Sequence, residues 1–162
     1  MLIISPKAYI SPLADIEDST RGTRIVIEAG VHIDSFVKIK PAGGKGDVII
    51  GRNSYINSGT VLYSGNGIII GEDVLIAANC TLAPVNHAFR DRSRKIVDQR
   101  FSESRGGIHI GDDVWIGAGS VIVDGAVLGR GCVVGAKALV DGELPEYSIN
   151  RGIPARTVDY RK

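Results

Sequence analysis

Large aliphatic residues recur at every sixth place along most of this chain. The stretch from Ile70 to His87 divides into three sixes headed by Ile70, Ile76 and Leu82. The first two carry a modest apolar residue, Val74 or Cys80, at the fifth place. After His87 the register breaks, and it resumes at Ile110. Three successive sixes can also be laid down from Ile4, Ile27, Ile50, Ile110 and Leu128. All eighteen heads are then Ile, Leu or Val. Those types make up 46 of 162 residues, so chance would fill about five of the eighteen heads. The repeat is therefore the first thing the chain specifies.

A period of six suits neither a helix, which would scatter these positions around its surface, nor one flat strand. It fits a parallel β-helix with three short sides per coil. Each six is one side, eighteen residues close a coil, and coils stack at the roughly 4.8 Å spacing of hydrogen-bonded strands. Heads point inward and form three aliphatic ladders. Fifth places also point inward, near a corner, and are mostly small: Ala8, Ala14, Thr20, Ser54, Thr60, Ser120, Ala126 and Ala138 among them. Cys80 and Cys132 share this register and read as small core residues rather than nucleophiles or ligands. Glycines at second places, such as Gly51, Gly71 and Gly117, are expected at corners with special backbone angles.

Subtracting eighteen from the spacing between starts leaves insertions of 5, 5, 2, 22 and 0 residues. The short ones, such as Lys45-Gly46-Asp47, are corner loops. The long one, residues 88–109, has the length of a functional or disordered loop. It carries six cationic and three acidic residues, a surplus that suits an anionic ligand. The expected organisation is one domain, 1–162, with the extruded loop 88–109 and a short C-terminal segment 146–162.

Composition narrows the picture. Aromatics are only 6% and there are 21 glycines, which argues for an aliphatic core with many tight corners and against a helical bundle. A net charge of +1 points to neither nucleic acid nor membrane surface. No apolar run approaches the roughly 20 residues of a membrane span. The residues before Lys7 are too short for a signal peptide, so a cytoplasmic location is expected.

The sixes resemble those of the hexapeptide-repeat transferases, closest to the maltose, galactoside and polysaccharide-modifying O-acetyltransferases. The resemblance rests on Ile50–Asn57, Val74–Asn79, Asn86-His87, Ile110–Gly119 and Gly152-Ile153-Pro154-Ala155-Arg156. It implies an all-β fold, a left-handed parallel β-helix of about six triangular coils with one long loop. The handedness comes from the resemblance alone. The same source implies a homotrimer with active sites between subunits, acetyl-CoA as co-substrate and no metal.

The resemblance makes His87 the general base and Asn57 an acceptor contact. Arg90 and Arg92 in the long loop are candidates to touch an anionic acceptor, a sugar or nucleotide-sugar. Trp115 is implied near the pantetheine arm, with backbone groups at Ala118 and Ala136 along it. Pro154 and Arg156 would flank the adenine end. Where close relatives carry Thr-Lys this chain has Asp141-Gly142, so Lys137 or Arg151 would substitute for a missing phosphate-side cation. His32 and His109, at sixth places, are expected to face solvent. The function implied is O-acetylation of a sugar hydroxyl in surface-polysaccharide biosynthesis. N-acetylation of a nucleotide-linked amino sugar and a non-catalytic structural β-helix are the alternatives. A zinc carbonic anhydrase on the same fold needs three converging histidines, and the three here are widely spaced.

Overall fold

The computed structural model describes residues 1–162. Strands of mostly two or three residues alternate with tight corners and stack into three parallel sheets, the faces of a triangular prism. The first face has seven strands, from Leu2–Ile4 to Glu143–Leu144. The second runs from Tyr9–Ile10 to Ser148–Arg151, and the third has six strands, from Asp15–Ile16 to Leu139–Val140. Six coils are complete and a seventh is begun.

The pairing register puts head upon head: Ile50, Ile70 and Ile110 on the first face, Ile56, Ile76 and Ile116 on the second, Leu62, Leu82 and Ile122 on the third. Every head from Ile27 onward is buried, each contributing on the order of 1.5–3 kcal/mol from the water it sheds. Ile4, Ile10 and Ile16 are only partly covered, because their strands are the end strands of the three sheets and pair on one side only.

Small polar residues at fifth places have a definite task. Ser54 Oγ donates to Gly71 O at 3.0 Å and accepts from Val74 N–H at 3.1 Å. Thr60 Oγ1 does the same with Ala77 O and Cys80 N–H. Each ties its corner to the next coil. Thr20 departs from the expected pattern: it is exposed, because an insertion follows it directly.

The corners differ from expectation in one respect. Left-handed backbone falls at fourth places, including Asn53, Asp73, Asn79, Asp113 and Lys137 (φ 56–61°). The second-place glycines do not have positive φ. They are required by close approach: a Cβ on Gly117 would lie 2.5 Å from Ala136 N in the next coil.

At the C-terminal end Arg156–Tyr160 turns back and pairs antiparallel with Ser148–Arg151, covering the last edge of the second face. Buried Asn150 anchors the turn, donating to Val133 O at 3.1 Å and accepting from Thr157 Oγ1 at 2.7 Å.

Candidate active site

The third-face strand Thr81–Ala83 leads into the corner between the third and first faces, and there the chain leaves the prism. The excursion is a structured hairpin. His87 and Phe101 face each other across an antiparallel bridge, with ring centroids 4.9 Å apart. Ala88 N–H donates to Arg100 O, and Ser102 N–H to Asn86 O. The tip carries one helical turn, Ile96–Gln99. Gln99 stitches it shut: its amide donates to Asp91 O (2.8 Å) and Arg94 O (3.0 Å) and accepts from Asp91 N–H (3.2 Å). Ser93 hydrogen bonds hold the Asp91 carboxyl below the usual carboxylate range.

The return to the prism is fixed by Asp124, a residue the sequence pattern did not single out. It is 1% exposed. Its carboxylate accepts from Arg105 N–H (2.8 Å), Gly107 N–H (2.9 Å) and Asn66 Nδ2 (3.1 Å). Nothing in the repeat marks it, since its partners come from an insertion and from another coil.

His87 therefore sits exposed at the base of the hairpin, with its orientation set. Nδ1 lies 3.3 Å from Arg100 O. A carbonyl only accepts, so Nδ1 is the donor in this contact, and Nε2 has no hydrogen-bond partner within the chain. His87, Phe89, Arg90, Ile96 and Gln99 help line a concavity of about 930 Å³. Arg90 stands with its guanidinium 5.7 Å from the Phe89 ring centroid. A base with a free nitrogen, a nearby cation and room for a sugar can deprotonate a bound hydroxyl.

The other sequence candidates fall elsewhere on the protomer. Arg92 is exposed on the hairpin but does not line the concavity. Asn57 lies at the corner between the second and third faces, its amide donating to Ile76 O at 2.7 Å. Ala118, Ala136 and Lys137 are exposed at that same corner, two and three coils further on. One side of the prism, about six residues or on the order of 20 Å of extended chain, separates it from the His87 corner. Trp115 is half exposed on the second face, between Leu75 and Val133. Arg151 and Pro154 are exposed around the C-terminal turn, and Arg156 lies 3.9 Å from Asp141. His32 and His109 do face outward. His32 stacks between Tyr9 and Tyr55 at 4.4 and 5.3 Å, and His109 Nε2 lies 3.1 Å from Gly106 O.

Comparison with known proteins agrees with this architecture. Residues 107–142 match the family "Bacterial transferase hexapeptide (six repeats)", and residues 47–84 match "Hexapeptide repeat of succinyl-transferase". A Mycobacterium tuberculosis protein named as an acetyltransferase is 33% identical over 99% of this chain, which spans 52% of that relative, about half its length. WbbJ of Escherichia coli, named for O-acetyl transfer in lipopolysaccharide biosynthesis, is 29% identical, covering 85% of this chain and 69% of its own. Among solved structures, a variant of the N-acyltransferase AntD from Bacillus cereus, in complex with dTDP-4-amino-4,6-dideoxyglucose and coenzyme A, superposes with a TM-score of 0.82. Its identity is 28%, over 98% of this chain and 83% of that one. The stacked sixes and parallel coils are those of hexapeptide-repeat proteins, and the relatives that this chain is similar to are named as acetyl- and acyltransferases.

Proposed function

We propose that this protein is an acetyl-CoA-dependent O-acetyltransferase acting on a sugar or glycan hydroxyl, in surface-polysaccharide biosynthesis in the cytoplasm. The observation that carries the reading is His87, with Nδ1 held by Arg100 O and Nε2 free beside a sugar-sized concavity. Acetyl-CoA supplies an activated acetyl thioester. Nε2 takes the hydroxyl proton as the oxygen attacks the thioester carbon. The carbon–sulfur bond then breaks, and the imidazolium returns the proton to the leaving thiolate. General-base help of this kind is worth roughly 10²–10⁴ in rate.

Two features support a homotrimer with shared sites. The coenzyme-side candidates Ala118 and Ala136 occupy a different corner from His87 on one chain. The hairpin also exposes Phe89, Ile96 and Val97, by 61, 57 and 77%, apolar surface that a neighbouring subunit would cover. The Ala118 and Ala136 N–H groups donate no hydrogen bond within the chain, which leaves them for an amide-bearing arm. Lys137, Arg151, Pro154 and Arg156 would line the coenzyme's far end, with Trp115 near the arm. Asn57 and Arg90 would contact the acceptor, and Arg92 would add to the field around it.

A second reading is acetylation of an amino group on a nucleotide-linked sugar, favoured by the likeness to AntD. A thiol-release assay against sugars, nucleotide sugars and amino sugars separates the two. The His87→Ala variant is expected to lose 10²- to 10⁴-fold in kcat while its affinity for acetyl-CoA stays the same. Unchanged turnover in that variant removes His87 as the base.

A further inference from the structure

The hairpin that carries His87 leaves and re-enters the prism through a mouth between two coils, and one side-chain pair spans that mouth. Asn66 stands on the corner of the coil below and Asp124 on the corner of the coil above, 58 residues apart in sequence. Asn66 serves the outgoing limb: its backbone N–H donates to Pro84 O at 3.0 Å. Asp124 serves the return limb, accepting from Arg105 N–H at 2.8 Å and Gly107 N–H at 2.9 Å. Asn66 Nδ2 joins the two by donating to Asp124 Oδ2 at 3.1 Å. The return limb is also tightly packed here, since a Cβ on Gly107 (φ +82°) would lie 2.6 Å from Gly67 O.

Beyond the mouth, the return limb holds the carbonyl that orients the base. Arg100 O accepts from Ala88 N–H at 2.9 Å and lies 3.3 Å from His87 Nδ1. Arg100 itself has φ 60° and ψ −138°, a backbone conformation that residues other than glycine rarely adopt. Such a conformation persists only where the surroundings over-determine it. Residues 100–106 are all exposed, so core packing does not hold this limb. The buried side chain among its hydrogen-bond partners is Asp124.

We propose that Asn66 and Asp124 are positioning residues for His87. Together they clasp the two limbs of the hairpin at its mouth and fix where the return limb starts. That in turn holds Arg100 O where it accepts from His87 Nδ1 and keeps Nε2 turned to the concavity. The inference rests on the reading of His87 as the base. Neither residue lines the concavity, so both act through the hairpin. A carboxylate suits position 124, because its two oxygens accept all three bonds at once and each is charge-assisted. An amide there would have a single acceptor oxygen.

Imidazole-nitrogen NMR of the full chain, run beside steady-state kinetics, tests this. In the neutral ring of the wild type the His87 proton is expected on Nδ1, the signals being assigned by their loss in His87→Ala. Asp124→Asn should spread that proton over both nitrogens. It should also lower kcat by roughly 10- to 10²-fold, the cost of a base displaced by about an ångström, with the acetyl-CoA KM unchanged. Asn66→Ala, which removes only the join, should do the same to a smaller degree. Adding Asn66→Asp to Asp124→Asn returns the join with donor and acceptor exchanged, and should recover part of both readings. His32, stacked between Tyr9 and Tyr55 on the second face, reports on the prism and should keep its signals throughout. Unchanged His87 signals in Asp124→Asn overturn the clasp, whatever the kinetics. If that variant does not fold, Asn66→Ala decides on the same readings. His32 signals that move with those of His87 in Asn66→Ala also overturn it, since the loss would then be of the whole fold. Turnover that survives His87→Ala removes the base reading, while the nitrogen signals still judge the clasp.

Discussion

The two cysteines show how a six-residue register decides chemistry. Cys80 and Cys132 occupy inward fifth places and are 1% and 0% exposed. Burial pushes both thiols up, Cys132 to about 12, because a thiolate there would lose its water. Neither can act as a nucleophile near neutral pH. Alkylation by an excess of maleimide at pH 7.5 is expected to proceed only as the chain opens, and to be complete in denaturant; rapid labelling of the native protein would refute this. The linkage has a definite sign. With a folded pKa above the unfolded value of about 8.5, the Cys132 contribution to stability is complete below pH 8.5. It is lost as pH rises toward 12. At the same scale, His87 was legible because it closes the last six before the break. Asp124 was not, because its three partners are brought to it only by folding.

Among elements, the coils were readable and the hairpin was not. Heads repeat on a sequence-local rule, so their ladder could be predicted to the residue. Fourth-place corners are hard to read because Gly shares them with Asn, Asp, Lys and Phe, so no one residue type marks them. The second-place glycines were found, but their reason lies in the coil above, which no single-chain pattern displays. The hairpin is held by bonds from Gln99 to groups five and eight residues away, without periodicity or an apolar stripe. Its tip therefore depends heavily on one side chain. Gln99→Ala removes three hydrogen bonds, each worth about 1 kcal/mol. Amide exchange at Arg94 and Asp98 is expected to quicken by ten-fold or more, while Ala88 and Ser102 at the base stay protected. The acceptor KM should rise more than the acetyl-CoA KM, since Arg90 stands on this element. Uniform exchange changes through base and tip would show that the hairpin opens as one unit.

For the whole molecule, the question is how two corners of a prism can serve one reaction. The proposed general base, His87, lies at the corner between the third and first faces, and the free amides of Ala118 and Ala136 at the corner between the second and third. A three-fold ring of identical subunits brings unlike surfaces together at every interface, so the base of one chain can meet the amide corner of the next. Complementation reads this directly. His87→Ala leaves the amide corner intact, and Ala136→Trp fills it while sparing the base. Each variant on its own should be nearly inactive. Unfolded and refolded together in equal amounts, the two should regain roughly one quarter of wild-type activity, the fraction of interfaces that join one intact corner to one intact base under random assortment. If the site were completed within a single chain, no mixture would regain any. Activity that appears only after subunits have exchanged, and then plateaus near that fraction, is the behaviour a shared site requires.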